Sequence, residues 1–198
     1  MIKLHDYELS GSCHKVRLLL GFLQTEYEKR PVDFVSKQHK SAEYLGINPF
    51  GELPILEDGD LTLRDAQAIL VYLASKYDAG RLWYPVDPQA QGRIQQWLST
   101  GGGEIMNASA ARLVKGLNYP LDLERLHAGA HRAFAILDTH LKDRNFLELG
   151  RPTIADIACF PYAALAWEGG IDISGYHNMI AWIGRVKNLP NFTGMPGM

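Results

Sequence analysis

The segment Asn48-Pro49-Phe50-Gly51-Glu52-Leu53-Pro54-Ile55-Leu56 constrains the fold more than any other part of the chain. Pro54 stands among apolar residues at the mouth of a short strand, yet it has no N–H to give to a sheet ladder. It is therefore expected at an edge, a bulge or a cis turn. A Leu53-Pro54 bond held cis would turn the backbone N–H and C=O of Leu53 outward, free to pair with an extended peptide. Further on, Asp65 and Ala66 open a helical pattern whose unpaired N–H groups favour an anion. A peptide-pairing edge and a carboxylate socket thus lie in one segment, and together they suit a small acidic peptide.

The elements around this segment alternate. Ile2 to Asp6 reads as a strand, Glu8 to Ser12 as a polar turn, and an apolar helix is expected from Val16 to about Gln24. Tyr27 to Val32 reads as a second strand, and Ala42 to Leu45 as a helical turn. Pro54 to Glu57 and Leu61 to Leu63 flank Asp58-Gly59, a strong hairpin signal. Ala66 to Tyr77 places Ile69, Leu70, Leu73 and Tyr77 on one helical face. The fold class is α/β plus all-α: a βαβ-α-ββα unit over residues 1–80, then a proline-bearing linker and an all-helical unit over 86–198. In that second unit helices are expected over about Gln89–Lys115, Leu123–Lys142, Thr153–Trp167 and His177–Val186.

Totals exclude several partners. With 198 residues, 46% hydrophobic and 21% charged, the chain has ample core for an ordinary globular protein. A formal net charge of −2 leaves no basic footprint for nucleic acid or an anionic membrane. No apolar run reaches bilayer length and no signal-peptide core opens the chain. Cys13 and Cys159 do not suggest a disulfide framework, so a cytoplasmic location is expected.

Ser10-Gly11-Ser12-Cys13-His14-Lys15-Val16-Arg17 joins the first strand to the first helix. Hydroxyls there can cap the helix or donate to an anionic sulfur. A hydrogen bond to a charged group is worth about 1.5–3 kcal/mol, so one donor lowers a bound thiol's pKa by roughly one to two units. The helix N-terminus adds about 0.3–1 kcal/mol. A bound thiol would then be largely ionised at neutral pH.

Four ordered motifs resemble the cytosolic glutathione transferase family, in its serine-type members. They are Ser-x-Ser-Cys-x-Lys-Val-Arg, Asn-Pro-x-Gly-x-x-Pro-x-Leu, Asp-Ala-Gln-Ala-Ile-Leu-x-Tyr-Leu, and Arg151-Pro152-Thr153-Ile154-Ala155-Asp156-Ile157-Ala158. The resemblance implies a thioredoxin-like domain followed by a helical domain in a homodimer, with glutathione as co-substrate and no other cofactor. It implies that Ser10 holds the thiolate, with Ser12 as the alternative donor, and that Leu53 beside Pro54 pairs with the cysteinyl unit. Asp65 and Ala66 would take the γ-glutamyl end, and His39 and Lys40 the glycine carboxylate. Alanine at 66 and a carboxylate at Glu52 depart from the family pattern. The absence of cysteine at position 10 argues against dithiol chemistry by the protein.

The small hydrophobic electrophile is expected between the two units, against Tyr7, Leu9, Met106, Ala110, Leu113 and Trp167. The implied reaction is conjugation. Glutathione-dependent peroxide or disulfide reduction, isomerisation, and a non-catalytic glutathione-binding protein are the alternatives. Other features read as structural. Thr153-x-x-Asp156 is close to a capping box. His127 and His131 share a helix face but lack a third ligand, so no metal is assigned. Gly101-Gly102-Gly103 reads as a kink or close packing in one long helix, Cys13 and Cys159 as core, and Arg112 as part of a solvated face.

Overall fold

A computed structural model describes all residues from Met1 to Met198. Strand β1 (Ile2–Asp6) alternates buried and partly exposed residues, the mark of a strand with one covered face. It runs parallel to β2 (Tyr27–Pro31) and antiparallel to β3 (Ile55–Asp58), which pairs antiparallel with β4 (Leu61–Leu63). The sheet order is therefore β2-β1-β3-β4. Helix α1 (Gly11–Phe22) makes the crossover between the parallel pair, and the short α2 (Ala42–Ile47) precedes β3. Helix α3 (Ala66–Tyr77) follows β4. This is the thioredoxin-like arrangement.

Helix α1 begins earlier than the apolar period indicates. Ser10 is its N-cap, accepting the Cys13 N–H at 3.2 Å, so the polar turn expected over Glu8 to Ser12 ends at Ser10, and Gly11 and Ser12 already belong to the helix. The cap, not hydrophobicity, sets the start.

Five helices complete the chain: α4 (Pro88–Gly102), α5 (Met106–Leu117), α6 (Leu123–His140), α7 (Ile154–Ala164) and α8 (His177–Lys187). The single helix expected over 89–115 is two. Its break follows Gly103, the residue after α4. Gly101 meets α7 closely: a Cβ there would stand 2.7 Å from the Ala158 carbonyl oxygen. The pattern expected to run to Trp167 stops at Ala164, and a tighter 3-10 turn spans Ala166–Gly169. No helix is long and apolar enough to cross a membrane.

Helix α7 is the central post. Ile154 through Ala163 are all buried, as expected for a helix apolar on every side. Thr153 and Asp156 form a reciprocal capping box at its start. The same carboxylate accepts from the Leu147 N–H and the Trp182 indole N–H, both at 2.9 Å, tying the following and preceding segments to one buried group. A continuous core of buried apolar residues runs from the sheet through α1, α3, α4 and α7. The two units therefore share an interior.

Candidate active site

A cleft of about 890 Å³ opens where the tip of α1, the loop before β3, the start of α3 and one side of α5 converge. Ser10, Ser12, His39, Lys40, Leu53, Asp65 and Ala66 all line it, as do Tyr7, Leu9, Met106, Leu113 and Trp167. Two expected residues do not. Pro54 is buried, and Ala110 falls beside the lining stripe of α5, which is drawn from Met106, Ser109, Arg112, Leu113, Gly116 and Leu117.

The Leu53-Pro54 peptide bond is cis. Its neighbours are anchored: the Glu52 carbonyl accepts from the Tyr44 hydroxyl at 2.9 Å and from the Asn48 side-chain amide at 2.8 Å. Leu53 itself uses neither its N–H nor its C=O within the chain. An extended peptide laid along this rim can take both.

Ser10 holds its position through two contacts. Its N–H donates to the Tyr7 carbonyl at 2.9 Å, and its Oγ accepts the Cys13 N–H. Because the hydroxyl is an acceptor in that bond, its proton remains available to a ligand. Ser12 stands nearby, with both its N–H and its Oγ 3.0 Å from the Tyr162 hydroxyl. Cys13 points into the core, where burial above all pushes its thiol up to about 12. It offers no nucleophile at neutral pH.

At the start of α3, Asp65 caps the helix by accepting the Ala68 N–H at 2.8 Å, leaving the Ala66 N–H without a partner in the chain. At the opposite end His39 is buried, stacked on Phe34 at 4.3 Å between ring centroids, and its Nδ1 has no partner. Burial, reinforced by the Lys40 and Lys37 cations, holds its imidazole below the usual range, so it is neutral. Lys40 donates to the Phe50 and Gly51 carbonyls at 3.1 and 2.7 Å, which fixes the Pro49–Glu52 loop against the cleft.

Arg112 is not part of a solvated face. Its Nε and Nη2 reach the Glu168 carboxylate at 2.7 and 2.5 Å, an ion pair between two residues that both line the cleft. Phe34, Gln67 and Tyr162 also line the cleft, beyond the residues expected there from sequence. The 3/4 spacing of Met106, Ser109 and Leu113 was a usable signal for α5. Nothing local marks Tyr162, which reaches Ser12 from the far end of the sequence. His127 and His131 are satisfied by the Gly169 carbonyl at 2.8 Å and the Tyr176 hydroxyl at 2.9 Å.

A serine-tipped helix, an unpaired backbone rim and a second helix N-terminus surround one cleft, on a thioredoxin-like sheet joined to a helical unit. The family model described as glutathione S-transferase, N-terminal domain, matches residues 2–75, and the C-terminal domain model matches residues 122–185. The chain is 35% identical over 170 residues to human glutathione S-transferase theta-2, covering 81% of this chain and 70% of that protein. A crystal structure of glutathione S-transferase from Pseudomonas fluorescens superposes with a TM-score of 0.90 at 28% identity, covering 98% of both chains. A Drosophila mojavensis glutathione transferase homologue with bound glutathione superposes with a TM-score of 0.86 at 27% identity, covering 96% of this chain and 88% of that one. The chain belongs to the glutathione S-transferase family.

Proposed function

We propose that the cleft binds glutathione and that the protein conjugates its thiolate to small hydrophobic electrophiles. The observation that carries this reading is the unpaired Leu53 backbone facing the same cleft as the Ser10 hydroxyl at the N-terminus of α1. The tripeptide lies along Leu53 as an added strand edge. Asp65 takes its ammonium, the Ala66 N–H its γ-glutamyl carboxylate, and His39 with Lys40 the glycine carboxylate. Ser10 donates to the sulfur, and the positive end of α1 adds to that donation. The thiol proton leaves to solvent. The sulfur then forms a bond to the electrophilic carbon while the leaving group departs with its electron pair. Positioning and thiolate stabilisation together supply the rate.

Leu9, Met106, Leu113 and Trp167 offer the electrophile an apolar wall, and the Arg112–Glu168 pair keeps that wall near neutrality. A homodimer is supported by the exposed Phe50, which carries the Arg64 guanidinium 4.0 Å from its ring centre, and by the mostly apolar groove containing Leu61, Leu63 and Val71. The location proposed is the cytoplasm, and the role detoxification.

The experiment is a thiolate titration of bound glutathione by ultraviolet absorbance, followed by a substrate panel of aryl halides, hydroperoxides and mixed disulfides. Ser10→Ala should raise the pH of thiol ionisation by roughly one to two units. Glutathione binding without turnover of any panel member would refute the enzymatic reading. A single-chain mass in sedimentation at micromolar concentration would refute the dimer.

A further inference from the structure

The Tyr162 hydroxyl has a single acceptor for its proton within the chain, Ser12 Oγ. The side chain is 3% exposed, and its sole hydrogen-bond partners are the N–H and Oγ of Ser12, each at 3.0 Å. The N–H can only donate, so the phenolic oxygen accepts from it. Donation of the phenolic proton to Ser12 Oγ pairs that donor within the chain, whereas the reverse direction would turn it into the cleft that Tyr162 also lines. That assignment occupies the acceptor side of the Ser12 hydroxyl and frees its proton, and Ser12 lines the cleft. Ser10 is arranged in the same sense, with the Cys13 N–H on its acceptor side.

We infer that Tyr162 is a positioning residue that aims the Ser12 hydroxyl at the glutathione sulfur, so that two oriented hydroxyls hold the thiolate. This rests on the glutathione-binding reading above. The helical unit thereby takes part in thiol activation. Its contact is close enough to require glycine at position 11, where a Cβ would stand 2.5 Å from the tyrosine ring. The Lys15 ammonium on α1 stands 5.1 Å from the Tyr162 ring centre, and the charged groups lining the cleft are Lys40, Glu52, Arg64, Asp65 and the Arg112–Glu168 pair. All of them remain when only the phenolic oxygen is removed.

The test is Tyr162→Phe, which keeps the ring against Gly11, made alone and together with Ser12→Ala. Glutathione binding by calorimetry on the unaltered protein comes first, and a lack of binding would refute the underlying reading rather than this inference. Given binding, Tyr162→Phe should raise the thiol ionisation pH of the complex by roughly half a unit to one unit, with kcat at neutral pH falling more than KM rises. In the Ser12→Ala background the same change should add nothing. An unchanged titration, or an equal shift in both backgrounds, would overturn the inference, since the effect would then pass through packing or the Ser12 N–H. If Tyr162→Phe does not fold, Ser12→Ala alone decides: an unmoved titration removes Ser12 from the sulfur and the inference with it.

Discussion

The ammonium of Lys15 donates to the Gly101 carbonyl oxygen at 3.0 Å, joining the first helix of the sheet unit to the last turn of α4. The side chain is fully buried; the Tyr162 ring stands 5.1 Å from the ammonium, and the Asp65 carboxylate also favours the charged form. Burial dominates and lowers the lysine to about 8. A buried cation is thus held by one carbonyl, one aromatic face and the field of Asp65.

The folded-state value lies below the ordinary value of 10.5, so above pH 8 the unfolded chain holds a proton that the folded chain has released. Stability from this group therefore rises with pH through that window. Between pH 8 and 9 the gain is about 1 kcal/mol. Cys13 and Cys159, both pushed up to about 12, act in the opposite direction. The wild-type protein and Lys15→Met should consequently differ in slope, and urea midpoints at the two pH values measure the difference. Equal slopes would show that the lysine escapes burial.

Ser10 has two roles that substitution can separate. Alanine removes both the cap and the hydroxyl donor and should lower stability by about 0.5–2 kcal/mol, whereas glycine should lower it by only a few tenths. Both variants should lose thiolate stabilisation equally. Chemical denaturation paired with the thiol titration checks this, and a glycine variant with normal ionisation would exclude the Ser10 hydroxyl from the sulfur.

Gly11→Ala forces a methyl group to 2.5 Å from a Tyr162 ring carbon inside a packed junction. The expected cost is about 1–3 kcal/mol, with weaker glutathione binding as the helix tip shifts. Adding Tyr162→Leu should recover part of the stability but not the thiol ionisation, a coupling that a double-mutant cycle measures.

Burial raises the Asp156 carboxyl to about 6, against the pull of its donors from Leu147, Trp182 and Thr153. The folded chain thus takes up this proton before the unfolded chain does, and between about pH 6 and 4 the group favours folding as pH falls. Asp156→Asn should abolish that contribution. Its amide nitrogen must also face N–H donors, at roughly 1–3 kcal/mol for each one orphaned. Thermal unfolding at pH 4.5 and 7 reads both effects.

Much of the site was legible because its signals are local. A proline at a strand mouth, a serine before an apolar helix and an aspartate before Ala66 each act on backbone within a few residues. The split of the expected long helix was visible only as three glycines, and where such a run bends depends on what packs against it. Ala110 and Arg112 were misjudged for a related reason. A few tens of degrees of helix rotation separate wall from flank, and Glu168 lies on a different element.

What the amino-acid order determined alone was the alternation of strands and helices, the capping box that starts α7, and a glutathione-family pattern written in short motifs. Tertiary structure decided which of two serine hydroxyls is tied to a tyrosine 150 residues away, which lysine lies buried, and which α5 side chains face the cleft. Local backbone preferences act over a few residues and can be read in order. Burial and long-range hydrogen bonds depend on packing between distant segments, which no short window contains.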